Sequence, residues 1–158
     1  RTRQYVNSAK NEAKGIEVSF EYKIFPWRIY QDISYSHSEN ISANEGYSAY
    51  PSWIMNGDFS YKFSNGYKLN VNLNAFYGHH LGDRISASDP AMIERGSAFI
   101  RTDIRLHKEI TGNSRLWLDV KNVFNNNNAL PSIWNSEGGI PDISRLVSMG
   151  FKYEFGHD

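Results

Sequence analysis

The chain of 158 residues carries 17 Lys and Arg against 17 Asp and Glu, so a net charge of zero gives no reason to expect a nucleic-acid partner. It has no cysteine, which excludes disulfides and cysteine metal sites. A mean hydropathy of −0.57, with no apolar run of about 18 residues, excludes a transmembrane helix. A transmembrane barrel stays possible, because half the residues of its strands face away from lipid.

Alternating apolar and polar side chains predict antiparallel strands along most of the chain, because successive side chains on a strand point to opposite faces. A weak strand is predicted around residues 3–8. Clear alternation then predicts seven further strands, at residues 15–25, 27–37, 53–63, 67–77, 99–110, 115–124 and 144–155. The last strand shows the pattern well, with Val147, Met149, Phe151, Tyr153 and Phe155 on one face.

Tight turns and long loops alternate between these strands. Tight turns are predicted at residues 25–26, 64–66 and 111–113, because Pro26 fixes φ and Asn65-Gly66 tolerates positive φ. Long loops are predicted at residues 38–51, 78–96 and 125–143. This alternation is typical of outer-membrane barrels, which place short turns on the periplasmic side and long loops outside.

Strand length and aromatic placement favour the same fold. About 11 residues at ~3.3 Å each, tilted by ~45°, rise ~25 Å, which is the height of a barrel's apolar band. Aromatic residues collect near both ends of the predicted strands, as they do at membrane interfaces. We therefore predict an all-β protein, an antiparallel transmembrane β-barrel of about eight meander strands with lipid outside and a wet lumen.

Three sequence pieces carry a family resemblance. Gly15-Ile16-Glu17 opens a strand after a polar loop, residues 119–125 (DVKNVFN) run from a strand into an Asn-rich loop, and the terminal strand ends at the aromatic Phe155. Together they resemble the C-terminal barrel region of TonB-dependent outer-membrane receptors. The resemblance implies that residues 1–158 are a sector of a 22-strand barrel. The plug domain and the earlier strands of such a receptor are absent from the chain.

The resemblance also implies a function and partners. The expected task is TonB-energised uptake of a scarce nutrient, most often an iron–siderophore chelate, in the outer membrane of a Gram-negative bacterium. Expected partners are outer-membrane lipid and lipopolysaccharide, the rest of the barrel with its plug domain, the TonB complex through the missing N-terminal part, the barrel-insertion machinery and a small-molecule cargo. Phe151, Tyr153 and Phe155 resemble the signal that the insertion machinery reads.

Two groups of side chains are candidate functional residues. Outer-loop residues that could contact cargo are His79, His80, Asp83, Arg84, Arg95 and Trp134. The alternatives are solvated histidines, a surface ion pair of the acidic and basic residues, and a loop-anchoring role for Trp134. A second group faces the predicted lumen and is expected to form cross-strand ion pairs and to contact the plug, or else to line a conduction path. It comprises Arg101, Asp103, Arg105, His107, Glu109, Arg115, Asp119, Lys121, Lys152 and Glu154.

Other classes of function are less well supported. The sequence has no nucleophile elbow, HExxH motif or phosphate loop, so we expect neither an enzyme nor a bound cofactor or metal. One alternative is a self-contained eight-strand outer-membrane barrel with a structural or adhesion role. Another is a soluble lipocalin-like binding barrel, in which the apolar face would line the interior.

Overall fold

The computed structural model describes residues 11–40, 45–46, 51–78, 98–130 and 140–155. These residues form strands and no helix, so none of them belongs to a helix that could cross a membrane. The strands are β1 (Asn11–Ile24), β2 (Trp27–Asn40), β3 (Glu45–Gly46), β4 (Trp53–Lys62), β5 (Tyr67–Tyr77), β6 (Phe99–Thr111), β7 (Ser114–Lys121), β8 (Ala129–Leu130), β9 (Ile140–Pro141) and β10 (Leu146–Tyr153). The weak strand predicted at residues 3–8 lies outside the described residues.

The seven long strands form one antiparallel meander in the order β1-β2-β4-β5-β6-β7-β10, which confirms the predicted all-β architecture. The short β3 pairs with the end of β2, and β8 pairs with β9 in a separate small sheet. Within the described residues β1 and β10 are not paired with each other, so the sheet is open at both edges.

The register keeps each face of the sheet uniform. One row across all seven strands is apolar and consists of Tyr22, Ile29, Phe59, Val71, Ile104, Val120 and Val147. The row one residue further along lies on the other face and consists of Lys23, Arg28, Ser60, Asn70, Arg105, Asp119 and Ser148. We call the side of the sheet that carries the first row the apolar face and the side that carries the second row the polar face.

The apolar face does not pack against a second layer of the described residues, so no hydrophobic core lies beneath it. Its side chains are largely exposed, up to 82% at Met149 and 86% at Phe155, and Phe99 is the one hydrophobic residue buried among those the structure describes. An apolar surface of this extent is far larger than soluble monomers expose and needs an apolar neighbour.

All three predicted tight turns are present, and they lie at the same end of the strands, which we call the turn end. Pro26 connects β1 to β2, and Gly66, at φ +80°, connects β4 to β5. Gly112 connects β6 to β7, where the Thr111 and Ser114 hydroxyls lie 2.7 Å apart. The longer connections leave the strands at their opposite end, which we call the loop end.

Several predicted strand boundaries were wrong. β1 and β2 pair from Asn11 to Asn40 and are longer than predicted, because their ladder continues past the apolar alternation. β7 ends at Lys121 rather than at residue 124, because Asn122 adopts a left-handed backbone with φ 48°. β10 covers Leu146–Tyr153 only, which is shorter than the predicted 144–155.

The polar face and its loop end as candidate functional site

The polar face holds a groove that runs across β4, β5, β6 and β7. Its volume is about 490 Å³, and it is lined by Asp58, Lys68, Asn70, Asn72, Asp103, Ile104, Arg105, His107, Asp119 and Lys121. Acidic, basic and amide side chains are interspersed along it. Such a surface favours water and polar partners over an apolar ligand.

An ion pair between Arg105 and Asp119 forms part of the lining of this groove. The Arg105 guanidinium donates to both carboxylate oxygens, with Nη2 2.6 Å from Oδ2. Asp119 is buried, whereas Arg105 is about half exposed. Such forked contacts are the strong form of an ion pair because they fix geometry as well as charge. The pair links β6 to β7 at directly opposed positions.

Further ion pairs extend the network toward both ends of the polar face. Arg101 contacts Asp142 at 3.2 Å and Asp103 at 3.4 Å near the loop end. At the turn end, Glu154 accepts from Arg115 at 3.1 Å and pairs with Lys152 at 2.6 Å. Glu154 lies one residue beyond β10, and its hydrogen bond with Lys152 followed by the charges of Lys152 and Arg115 lowers its pKa.

Trp117 is the large aromatic residue of this face near the turn end. It pairs with His107 on β6 and with Gly150 on β10. A Cβ at position 150 would overlap the Trp117 ring, so the indole occupies the space that a larger residue there would need. Glycine in the middle of β10 is therefore favoured by its neighbour rather than by backbone conformation.

At the loop end, asparagine side chains replace the missing strand ladder. We call Asn122, Asn125, Asn126 and Asn128 the asparagine cluster. Asn122 is fully buried, and its amide Nδ2 donates to the carbonyls of Asn126 and Ile143, each at 2.9 Å. Its Oδ1 accepts from the Asn126 amide at 3.0 Å. One side chain thus joins both halves of the β7–β10 connection.

The rest of the cluster fixes this connection to β6. Asn126 and Asn128 both donate to the Ile100 carbonyl at 2.9 Å, and Asn128 Oδ1 accepts from the Ile100 amide at 3.1 Å. Asn125 instead bonds within the connection, where its Oδ1 accepts from the Arg145 amide at 2.8 Å. Backbone groups that would be unpaired beyond the end of a strand are satisfied in this way. Phe99, stacked on Phe76 at 4.3 Å, lies buried beside them.

The structure places the predicted residues in two groups. The charged residues that were predicted to face the lumen, from Arg101 to Glu154, lie on the polar face. Phe151, Tyr153 and Phe155 are exposed on the apolar face. The predicted cargo contacts lie outside the described residues; they are His79, His80, Asp83, Arg84, Arg95 and Trp134. In the described ranges no group of three or more His, Cys, Asp or Glu residues is arranged to hold a metal ion.

Sequence reasoning missed the asparagine cluster and Asp142. The Asn run at residues 125–128 indicates a loop, and nothing in it shows that its amides would bond to Ile100 on another strand. The usable signal was Asn122, placed where the β7 alternation stops. Asparagine tolerates positive φ and bonds to nearby backbone, which is what this position requires.

No protein-family model and no curated protein sequence matches this chain. Several solved structures share its fold, including three proteins with 14–17% sequence identity to this chain. The FpvAI receptor in complex with pyocin S2 matches with a TM-score of 0.75 and 15% identity, over 93% of this chain and 20% of that chain. The ferric-catecholate import receptor Fiu from E. coli K12 matches with 0.72 and 14%, over 93% and 21%. The FrpB iron transporter from Neisseria meningitidis matches with 0.73 and 17%, over 95% and 25%.

All three are TonB-dependent receptors, and none is named as an enzyme. The present chain spans between a fifth and a quarter of their lengths. The fold of this chain is therefore that of a stretch of receptor barrel wall.

Proposed function

We propose that this chain is the C-terminal part of the barrel wall of a TonB-dependent outer-membrane receptor that imports an iron–siderophore chelate. The observation that carries the proposal is the fold match, which covers 93–95% of the chain in all three receptors. Two of these proteins are named for iron, as a ferric-catecholate import receptor and an iron transporter. This supports iron over the other nutrients that such receptors take up.

The two faces support an outer-membrane location. The exposed apolar face has the composition that lipid requires, while the polar face has the ion pairs and amides of a water-filled lumen. A lipocalin-like barrel would need the reverse arrangement, with the polar groove facing solvent. The Gram-negative outer membrane, with its lipid and lipopolysaccharide, is the proposed surrounding.

The open edges support a larger barrel. β1 and β10 each present one unpaired side within the described residues, and an exposed strand edge invites pairing with another strand. We propose that the remaining strands of a 22-strand barrel close the sheet and that a plug domain fills it. The plug would contact the polar groove around the Arg105–Asp119 pair, and its N-terminal extension would reach TonB.

The outer loops are the proposed site of cargo capture. His79, His80, Asp83, Arg84, Arg95 and Trp134 belong to the two longest connections between the main strands. Arginine side chains bind the anionic groups of a chelate, and imidazole and indole rings suit its metal and its aromatic groups.

Phe151, Tyr153 and Phe155 form the proposed insertion signal. Replacing Phe155 by Ala should lower the fraction of protein that reaches the folded, heat-modifiable state in the outer membrane, measured by gel mobility. Phe25→Ala is the matched control, because Phe25 is 81% exposed at the same end of the sheet. Equal assembly of the two variants would remove Phe155 from the signal.

Uptake of a radiolabelled ferric siderophore tests the transport proposal. A strain that lacks this protein should lose uptake of at least one chelate, and loss of TonB should abolish the same uptake. Unchanged uptake across a panel of catecholate, hydroxamate and mixed chelates would contradict the iron assignment.

The mass of the native polypeptide tests the larger barrel. An antibody raised against residues 78–96 should detect an outer-membrane band several-fold heavier than 18.2 kDa. A band at 18.2 kDa would overturn the receptor proposal and favour a small self-contained barrel.

A further inference from the structure

A second groove lies on the apolar face, near the turn end. We call it the outer groove; its volume is about 260 Å³, and its outward-facing lining residues are Tyr67, Leu106, Lys108, Leu116, Leu118 and Met149. These side chains come from β5, β6, β7 and β10. His107 and Trp117, which belong to the polar face, complete the lining. The outward-facing residues other than Tyr67 and Lys108 are all apolar, so the surface that the groove offers on this face is almost entirely apolar.

Lys108 is the one cation at the outward positions of β4, β5, β6 and β7. Its ammonium donates to the Asn65 carbonyl in the β4–β5 turn and lies 4.1 Å from the centroid of the Tyr67 ring. These contacts hold the charge at the level of the turns. No described carboxylate forms an ion pair with Lys108. An ammonium has three donors, so the turn carbonyl leaves it able to bind an anion.

The order of chemistry along the outer groove matches an amphiphile. Lys108 pairs with Tyr67 and Leu116 in the row next to the turns. Two residues further from the turns, about 7 Å along the strand, Leu106 pairs with Leu118 and Leu118 with Met149. A cation therefore stands at the end nearest the membrane surface, and only aliphatic side chains follow toward the membrane interior.

We propose that the outer groove binds one anionic phospholipid of the periplasmic leaflet, of the phosphatidylglycerol type. Its phosphate contacts the Lys108 ammonium, and one acyl chain lies along Leu106, Leu118 and Met149. The inference rests on the proposed outer-membrane location and names a specific lipid partner of the apolar face. Charge complementarity selects the occupant, because an unpaired cation beside apolar side chains favours an anionic headgroup over a zwitterionic one.

Native mass spectrometry of the detergent-purified native protein tests the headgroup. Titration with phosphatidylglycerol and phosphatidylethanolamine should show tighter binding of the anionic lipid. Lys108→Gln should weaken phosphatidylglycerol binding about fivefold, the effect of one basic residue near an anionic lipid surface. Lys108→Arg should preserve binding. The control Arg145→Gln removes an exposed cation close to the loop end and should leave binding unchanged.

A groove-filling variant tests the tail. Leu118→Phe keeps the charge but fills the outer groove, and it should weaken binding of both lipids. The control Ile29→Phe adds the same ring on the apolar face of β2, outside the groove. Gel mobility with and without heating confirms that each variant is folded, and a Lys108→Gln variant that fails to fold leaves Leu118→Phe to decide.

The outcomes separate this inference from the proposed function. Phosphatidylglycerol binding that is unchanged in both Lys108→Gln and Leu118→Phe would overturn the lipid site in a protein that still resides in the outer membrane. Equal loss of both lipids in Lys108→Gln would overturn the headgroup assignment. Absence of the protein from the outer-membrane fraction would instead overturn the proposed function itself.

Discussion

The β1–β2 hairpin and the β6–β7 region are both antiparallel strand pairs, but different interactions hold them together. β1 and β2 pair continuously over 14 positions, and their polar links, Arg28 to Glu21 at 3.0 Å and Ser19 to Asp32 at 3.0 Å, are exposed. β6 and β7 pair over a shorter, shifted register. Yet every buried residue of the described ranges lies between positions 99 and 128, namely Phe99, Ser114, Asp119, Asn122 and Asn128.

The difference shows how a single-layer sheet gains local stability without a core. Four of these five buried residues are polar, and Asn122 and Asn128 satisfy backbone groups of neighbouring segments. Buried polar groups that are fully paired rigidify a structure, because losing any partner leaves another group unsatisfied. The β1–β2 hairpin relies on its backbone ladder and its surroundings.

Of the substitutions in the β6–β7 region, Asn122→Ala should cause the largest loss of stability. The substitution removes three hydrogen bonds from a fully buried side chain. At ~1 kcal/mol each, the free energy of unfolding should fall by about 3 kcal/mol. Urea unfolding in lipid vesicles, followed by tryptophan fluorescence, measures the change.

Asn125→Ala is the matched control for Asn122. Asn125 has nearly the same backbone, φ 54° against 48°, but its exposed side chain makes one hydrogen bond, to the Arg145 amide. Its loss should be about 1 kcal/mol. If the two variants lose equal stability, backbone strain rather than the buried amide accounts for the role of Asn122.

Replacing Gly150 by Ala should have the next largest effect. The new Cβ would overlap the Trp117 ring, so the indole must move, at a cost of about 2 kcal/mol. The Trp117 fluorescence spectrum should shift in the folded state as well. Gly57→Ala is the control, because its Cβ would meet Leu73 at an ordinary 3.7 Å. Full stability of Gly150→Ala would show that the ring moves freely.

Replacing Arg105 by Ala should have the smallest measurable effect. The change leaves the Asp119 carboxylate without its guanidinium, but Arg105 is about half exposed, so water can take its place beside the carboxylate and the expected loss is about 1 kcal/mol. Arg28→Ala removes the corresponding exposed pair with Glu21 and should leave stability essentially unchanged. Equal losses would erase the contrast between the two regions.

The alternation predicted the faces better than it predicted the ends. It assigned Val147, Met149 and Phe151 to one face of their strand, and the structure places them on the apolar face, because side chains of period two alternate whatever the sheet packs against. It failed at the end of β7, because the strand stops at Lys121, where Asn122 adopts a positive φ and its buried amide bonds to the Ile143 carbonyl on a segment distant in sequence. The role of Trp117 over Gly150 likewise depends on register, which no local pattern contains.

The sequence by itself determined the seven long strands, the three tight turns and the charged composition of one face, because these depend on side-chain period and on turn residues close together in the chain. Only the tertiary structure decided which charges pair and that Lys108 lies at the end of an apolar groove. It also decided that the Asn122 side chain links the beginning and the end of the β7–β10 connection. These features need strands distant in sequence to meet in one register. A one-residue shift in pairing would send every such side chain to the other face or to another partner.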